Sequence, residues 1–309
     1  MSSMGTLDLP RVQAPSAQPS WRHRLRDRGI DRLLWLVAPA FLFLVLLFIY
    51  PSVYGIVLSF QPMDHSGFLG NYVRFFFDPF LRGTIGHTFS IALPASIFNV
   101  VAAIPLALAM RRRKRSQRIV NVLLVTPITL GTVLVAEGLL NYLGPRGWVN
   151  RILMGIGLTD KPLPLLHNMW GVIISLIITG FPFAFLLILS YVSGINPAMD
   201  AAARTLGAGA SQRFFRITLP LLSPGIANTF CLTFVLAFSV FPSATLLGNP
   251  SGDSHVLAVA AANAAFQQYD YPLASAISVI TAVVELLMIA IVLGLRSRLY
   301  SGSTATGKG

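Results

Sequence analysis

Residues 200–220 read DAAARTLGAGASQRFFRITLP and separate two strongly apolar runs with a polar segment that carries three arginines. The alanine-rich pattern predicts a short helix at the membrane surface. A membrane anchor or a membrane-embedded enzyme has no evident use for such a helix. A transport pore driven by a separate motor protein does need one, because the motor must act on a defined surface. The segment therefore indicates one half of a transport machine.

The composition is that of an integral membrane protein. Of the 309 residues, 54% are hydrophobic and 11% are charged, and the mean hydropathy is +0.70; soluble domains lie far from these values. The net charge of +12 does not indicate a nucleic-acid partner, because the basic residues cluster in short loops between apolar segments. The lone cysteine, Cys231, excludes an internal disulfide and a CxxC site. The five histidines lack the spacing of metal ligands, and no catalytic motif is present.

Six apolar runs are each long enough to cross about 30 Å of hydrocarbon as a helix. They predict an all-α membrane protein in which residues 33–295 form the membrane domain. Residues 1–32 are expected to be a disordered arm followed by an elbow along the membrane surface, residues 199–220 a loop between spans four and five, and residues 296–309 a tail. The predicted spans are 33–60, 88–110, 119–142, 169–192, 221–245 and 273–295.

The distribution of basic residues predicts the orientation. Eighteen of the 23 lysines and arginines lie in the N-terminal arm, the loop after span two, the loop after span four and the tail. The loops on the other side hold only Arg74, Arg82, Arg146, Arg151 and Lys161. Because basic residues near span ends resist translocation, both termini are expected in the cytoplasm.

The polar segment also matches a known pattern. It resembles the coupling motif of permease subunits of binding-protein-dependent ABC importers, which is Glu-Ala-Ala, three residues, Gly, nine residues, Ile-x-Leu-Pro. Ala201 stands where the motif has Glu, and Asp200 comes one place earlier. The matching positions are Ala202, Ala203, Gly207, Ile217, Leu219 and Pro220.

The residues of the motif have physical roles that do not depend on the family. Asp200 near the start of a helix favours the helix dipole, and the alanines allow that helix to sit closely in a groove. Gly207 and Gly209 permit a sharp turn into a second helix. Pro220 can begin the next span. The second helix is expected to carry the apolar anchors Phe214, Phe215, Ile217 and Leu219. A short helix docked in such a groove could pass a rigid-body movement of a motor into spans four and five. An ordinary amphipathic connector is the alternative.

The resemblance covers nearly the whole chain after residue 30. It includes NYVRFFFDP at 71–79, the basic loop after span two and LGNPSGDSHVLAVAAANAAFQQYDYPLASAISV at 247–279. These segments look most like the polyamine (spermidine/putrescine) branch, which also includes importers of iron, thiosulfate and phosphonates. The resemblance implies a type I ABC importer permease fold in a bacterial inner membrane. It also implies a second permease, which we expect to be a different chain, a pair of cytoplasmic ATPases and an extracytoplasmic solute-binding protein. Because this chain lacks GxxxxGK[ST], ATP and Mg²⁺ are expected on the separate ATPase, with no cofactor and no catalysis on this chain.

Glu137 and Glu285 are the only glutamates, and both fall inside predicted spans. Because an intramembrane carboxylate is costly, it suggests a functional role. Ser278 and Thr281 lie roughly on the helical face of Glu285, and Asn99 adds a polar group in span two. These five residues are candidates for a path that attracts an amine cation. As alternatives, Glu137 could reach water and Glu285 could bond a neighbouring helix.

The sequence thus predicts a permease subunit of an ATP-driven importer that works by alternating access, with a small cation such as putrescine or spermidine as solute. An importer of a sugar, iron, thiosulfate or phosphonate is an alternative within the class. A proton-coupled secondary transporter with Glu137 and Glu285 as proton sites is an alternative from another class. It would need no coupling loop, and it usually shows inverted repeats, which are not evident here.

Overall fold

The computed structural model describes residues 39–64, 67–111 and 114–299, and within these ranges it contains helices and no strand. The all-α fold class is confirmed. The predicted arm and elbow at 1–32, the start of the first span and residues 300–309 of the tail lie outside the described residues. The helices are α1 Pro39–Ser59, α2 Gly70–Phe77, α3 Pro79–Met110, α4 Lys114–Leu143, α5 Trp148–Gly155, α6 Met169–Gly194, α7 Pro197–Thr205, α8 Ala210–Phe238, α9 Pro242–Leu246, α10 Leu257–Phe266 and α11 Tyr271–Leu299.

Six of these helices, namely α1, α3, α4, α6, α8 and α11, are long and apolar enough to cross a membrane. They correspond in order to the six predicted spans. The largest differences in a boundary are at α8, which begins at Ala210 and not near residue 221, and at α3, which begins at Pro79 and not near residue 88. Asp78 starts this helix early because its side chain accepts a hydrogen bond from Phe80 N at 2.8 Å, and because Pro79 suits the first helical position.

The chain forms two compact units, Met1–Tyr54 and Gly55–Gly309. The described part of the first unit belongs to α1 and contains a π-helical turn at Val45–Ile49. Ser52 Oγ donates to Phe48 O at 2.6 Å, so its hydroxyl is satisfied within the helix. An apolar helix with internally satisfied polar groups is suited to lipid.

In the second unit, α3, α6 and α11 end, and α4 and α8 begin, on the side that carries residues 195–218. We call this side the motif side and the other the opposite side. Arg111, at the end of α3, donates from Nη2 to the carbonyl oxygen of Ile195, which follows α6. This contact fixes the beginning of the motif loop to the end of α3.

Two apolar clusters hold the second unit together. The cluster toward the opposite side joins α3, α6, α8, α10 and α11 through Ile91, Val172, Phe234, Leu257 and Ile277. The cluster toward the motif side joins α3, α6 and α8 through Ala103, Ala107, Phe185, Ile188 and Leu222. The packing of α3, α6 and α8 therefore forms the framework on which the motif loop and the membrane-embedded polar groups are placed.

Close helix packing depends on two glycines. A Cβ atom on Gly180 of α6 would lie 2.5 Å from Asn99 Nδ2 on α3. A Cβ atom on Gly225 of α8 would lie 2.4 Å from Cγ of Tyr191 on α6. Small residues at such crossings let helices approach where lipid offers no hydrophobic driving force between them.

Candidate functional site

The motif loop begins with a well-formed helix, α7. The side chain of Asn196 accepts a hydrogen bond from Ala198 N at 2.9 Å and caps the helix, and Pro197 occupies its first turn. The helix ends at Thr205, and the predicted turn follows at Gly207, whose φ of 79° is in the left-handed region. Gly209 is extended, with a φ of −66° and a ψ of 163°, and it directly precedes the first turn of α8.

Asp200 connects the two helices of the loop. Its carboxylate lies 3.2 Å from Arg204 Nη2, one turn along α7, and 3.3 Å from Arg213 Nη1 in the first turn of α8. The side chain of Arg213 is only 13% exposed, whereas that of Arg204 is 57% exposed. The shielded ion pair with Arg213 therefore stabilises the loop more than the pair with Arg204 does, because exposed ion pairs contribute little to stability.

The predicted motif residues divide into exposed and buried positions. Ala203 is buried, and Ile217 and Leu219 are half-buried, so these three pack inside the protein. Ala202, Gly207 and Pro220 are exposed. The second helix expected in the loop is continuous with the next span, because α8 runs from Ala210 through a π-helical turn at Phe214–Thr218 to Phe238.

The sequence reading did not single out Leu206, which is 87% exposed at the end of α7. Phe215, which the sequence predicts to be an apolar anchor, is 61% exposed. Met199, at 45%, is a third exposed apolar side chain of the motif loop. Apolar exposure of this kind is typical of a surface that binds another protein.

The second group of candidate residues lies where span five is interrupted. The predicted continuous span 221–245 is wrong in this respect, because α8 ends at Phe238 and the short α9 begins at Pro242. Pro242 has no N–H to donate and cannot continue the ladder of α8. Within the depth of a membrane, a broken helix is tolerated only where protein or a cavity surrounds it.

Glu285 contacts this break. Its Oε1 accepts a hydrogen bond of 2.7 Å from Oγ of Ser239, the residue that ends α8. The carboxylate is half-buried, near the middle of α11. Sequence reasoning missed Ser239, although a serine shortly before a proline inside a predicted span was a usable signal.

A cavity of about 200 Å³ adjoins the break between α4, α6, α8 and α9. It is bordered by the kink of α4, where Gly131 has a φ of 76°, as well as by the break of α8. Two irregular backbone segments thus meet at one cavity, an arrangement that membrane transporters use for binding sites. The cavity is lined by the hydroxyl residues Thr132, Thr179, Thr233, Ser239 and Ser243.

The other predicted path residues lie in different surroundings. Asn99 is buried and donates from Nδ2 to Leu176 O at 3.2 Å, so it joins α3 to α6 beside the cavity residue Gly180. Ser278 and Thr281 donate to carbonyls of their own helix at 2.9 and 2.8 Å. Glu137 lies on an exposed face of α4, and no hydrogen bond or ion pair joins it to Glu285 within the described residues.

The opposite side carries two more polar contacts. Arg74 of α2 and Asp270 form an ion pair of 2.9 Å, and the other carboxylate oxygen of Asp270 accepts from Leu273 N in the first turn of α11. His255, before α10, is buried against the ring of Phe80, and burial lowers the pKa of its imidazole. No group of metal ligands lies within the part of the chain that the structure describes.

Comparison with known families agrees with this arrangement. Residues 99–301, which include the motif loop, the α8 break and Glu285, match the family described as binding-protein-dependent transport system inner membrane component. The chain belongs to this family. It is a permease subunit of an ABC importer, so the alternative of a proton-coupled secondary transporter is set aside.

Several proteins are similar to this permease in sequence. The spermidine/putrescine transport system permease protein PotB of Haemophilus influenzae is 30% identical over 69% of this chain and 76% of that protein. PotB of Salmonella typhimurium strain SL1344 is 28% identical over 80% of this chain and 88% of its own length. A probable sulfate transport system permease protein, cysT of Prototheca wickerhamii, is 26% identical over 70% of this chain and 83% of that protein.

Solved structures support the fold of the permease. A bacterial alginate ABC transporter, in complex with a periplasmic protein that holds an alginate pentasaccharide, contains a chain with a TM-score of 0.76 and 25% identity. The match covers 91% of this chain and 99% of that one. The MetNI methionine ABC transporter, at 14% identity and a TM-score of 0.52, supports the fold alone. The predicted type I importer permease fold is confirmed.

Proposed function

We propose that this permease forms half of the path of an ATP-driven importer for a small organic cation of the polyamine class. The observation that carries the proposal is Glu285, a carboxylate placed at mid-span and hydrogen-bonded to Ser239 at the break of α8. A carboxylate at this depth is unfavourable unless a partner compensates its charge. An amine cation that passes the break can compensate it, and relatives named for spermidine and putrescine support the same solute class.

A sulfate importer is the second candidate, because relatives named for sulfate transport have nearly the same identity. A sulfate path would need hydrogen-bond donors and positive charge near the solute. Hydroxyl groups at the cavity already donate within the protein, as Thr179 does to Ser175 O and Ser239 does to Glu285, and Glu285 would repel a dianion. The position of Glu285 therefore favours the cation.

Uptake of labelled putrescine and labelled sulfate separates the two solutes. Cells that produce the permease with its natural partners are compared with cells that lack it, and with cells that carry Glu285→Gln or Glu285→Asp. Putrescine uptake should require the permease and fall at least about tenfold in Glu285→Gln, because a charge pair at about 4 Å contributes about 4 kcal/mol at an effective dielectric of 20. Glu285→Asp should retain most uptake.

Glu137→Gln is the matched control, because it removes the same charge from an exposed face of α4. It should leave putrescine uptake near the level of the unmodified permease. Uptake of sulfate and not putrescine would refute the cation proposal. Equal losses in Glu137→Gln and Glu285→Gln would refute the special position of Glu285.

The same proposal places the motif side in the cytoplasm of a bacterial cell, with both termini there. A pair of separate ATPase subunits would bind ATP and Mg²⁺ and contact α7. A second permease of different sequence would complete the path. A solute-binding protein would deliver the cation at the opposite side. The exposed apolar side chains of Leu206, Phe215 and Met199 support the ATPase contact. This chain would contribute no catalysis and bind no cofactor.

The ATPase contact can be tested by affinity purification of the full chain in mild detergent. Leu206→Asp places a charge on the proposed contact and should remove the ATPase from the purified complex. Leu158→Asp is the control, because Leu158 is 69% exposed but lies on the opposite side, after α5. Recovery of the ATPase with Leu206→Asp at the level of the control would contradict the proposed contact.

A further inference from the structure

A groove with a cavity volume of about 410 Å³ lies between α3, α8 and α11, apart from the motif loop and the α8 break. Its volume is within the range of about 300 to 1,000 Å³ that small-molecule sites occupy. The groove extends from the motif-side part of α8 toward the middle of the membrane. Its apolar walls include Ile97, Val101, Ile226, Phe230, Val292 and Leu295.

Among the residues that the structure describes, Arg296 is the charged side chain that lines the groove. Its Nη1 donates to Asn228 Oδ1 at 3.4 Å, and Asn228 Nδ2 donates to the hydroxyl of Tyr191 at 2.8 Å. This chain of contacts orients the guanidinium toward α8 while using one of its five N–H donors. The groove therefore combines an apolar channel with a positioned, half-buried cation.

The counter-charge for Arg296 does not come from the described part of the chain. On the motif side, within the described ranges, the carboxylate is that of Asp200, and it pairs with Arg204 and Arg213. A guanidinium is costly to place beside hydrocarbon without an anion. It binds phosphate oxygens through two parallel hydrogen bonds.

We propose that the groove is a binding site for an anionic phospholipid, with one acyl chain along the apolar walls and the headgroup phosphodiester on Arg296. One lipid molecule supplies both the apolar chain and the anion, at the membrane surface where basic pockets between helices bind such headgroups. A helix of a second permease would fill the walls, but it would also need to bring an acidic side chain to Arg296. The charge of the site therefore favours the lipid.

Native mass spectrometry of the full permease, purified with the partners that remain bound, tests the proposal. The protein is exchanged into equal amounts of phosphatidylglycerol and phosphatidylethanolamine, and the retained lipids are counted. Arg296→Gln should lower the preference for phosphatidylglycerol by about fivefold, because that is the factor by which one basic side chain raises binding to an anionic lipid surface. Ala227→Phe, which fills the groove from α8, should reduce retention of that lipid while Arg296 is unchanged.

Arg118→Gln is the matched control, because Arg118 is an exposed arginine at the beginning of α4 on the same side and does not line the groove. It should retain the phosphatidylglycerol preference. An unchanged preference in Arg296→Gln would overturn the proposal, as would retention unaffected by Ala227→Phe. Cross-linking of the variant Val101→Cys to a second permease would also overturn the proposal, because it would show that a protein helix and not a lipid occupies the groove.

Discussion

Gly225 of α8 faces the ring of Tyr191 on α6, and replacing this glycine tests whether that crossing sets the spacing of the two helices beside the motif loop. A Cβ atom at position 225 would lie 2.4, 2.6 and 2.8 Å from Cγ, Cδ2 and Cβ of Tyr191. Because these atoms lie near the base of a rigid aromatic side chain, rotation of the ring cannot clear all three. We therefore expect the helices to move apart in Gly225→Ala.

Overpacking of this kind costs about 1–3 kcal/mol. With about 2–4 °C of melting temperature for each kcal/mol in chains of roughly this size, Gly225→Ala should lower the apparent melting temperature of the permease in detergent by about 2–12 °C. The movement should also weaken the hydrogen bond from Asn228 to the Tyr191 hydroxyl.

Gly294→Ala is the control, because a Cβ atom on this α11 glycine meets nothing within 4 Å. That variant should be unchanged or slightly more stable, since alanine restricts the unfolded chain. The double variant Gly225→Ala, Tyr191→Ala should lose less melting temperature than the sum of the losses in the two single variants, because removing the ring relieves the clash. Equal melting temperatures for Gly225→Ala and Gly294→Ala would refute the close crossing.

Three further changes address other contacts. Asp200→Asn should reduce solute-stimulated ATP hydrolysis in the reconstituted importer while leaving its assembly intact, because the pair with Arg213 joins α7 to α8; normal stimulation would show that this pair is dispensable. Asp270→Asn should lower the apparent melting temperature by an amount that corresponds to about 1–3 kcal/mol, since it weakens both the Arg74 pair and the cap of α11, and an unchanged melting curve would contradict this role. Burial lowers the pKa of His255 in the folded protein, so the unfolded chain takes up a proton first as the pH falls below about 6.5, and the stability of the fold should decrease below that pH. Melting scans at about pH 7.5 and about pH 5.5 check this. The difference in melting temperature between the two pH values should be smaller in His255→Gln.

The six-span architecture was predictable because lipid imposes one simple constraint, a long apolar helix, on each crossing. The boundaries were less predictable, because capping and not hydropathy decided them. Asp78 and Pro79 start α3 well before the apolar run becomes strong. The break at Ser239 was missed for a similar reason, since residues 239–241 are apolar enough to extend a span but cannot continue the ladder into Pro242.

In the candidate site, too, some features were predictable from the sequence and others were not. The alanine and glycine pattern of the motif loop is local, so it predicted the turn at Gly207 that follows α7. The polar contacts within the membrane are non-local. Glu285 meets Ser239 from another helix, while Glu137, the other glutamate, lies on an exposed face of α4. Hydropathy and spacing cannot specify which helices face each other. The sequence therefore predicted a shared path for the two carboxylates, whereas the structure places them in different surroundings.

The continuity of α8 has a mechanical consequence. This helix of 29 residues runs from the motif loop to Ser239 without a break, and at 1.5 Å per residue it is about 43 Å long. Acting as a lever, it would move its far end by about 4 Å when tilted by about 5° about its first turn. That displacement exceeds the 2.7 Å between Ser239 and Glu285. A small rotation at the surface is therefore sufficient to open or close a contact in the centre of the membrane.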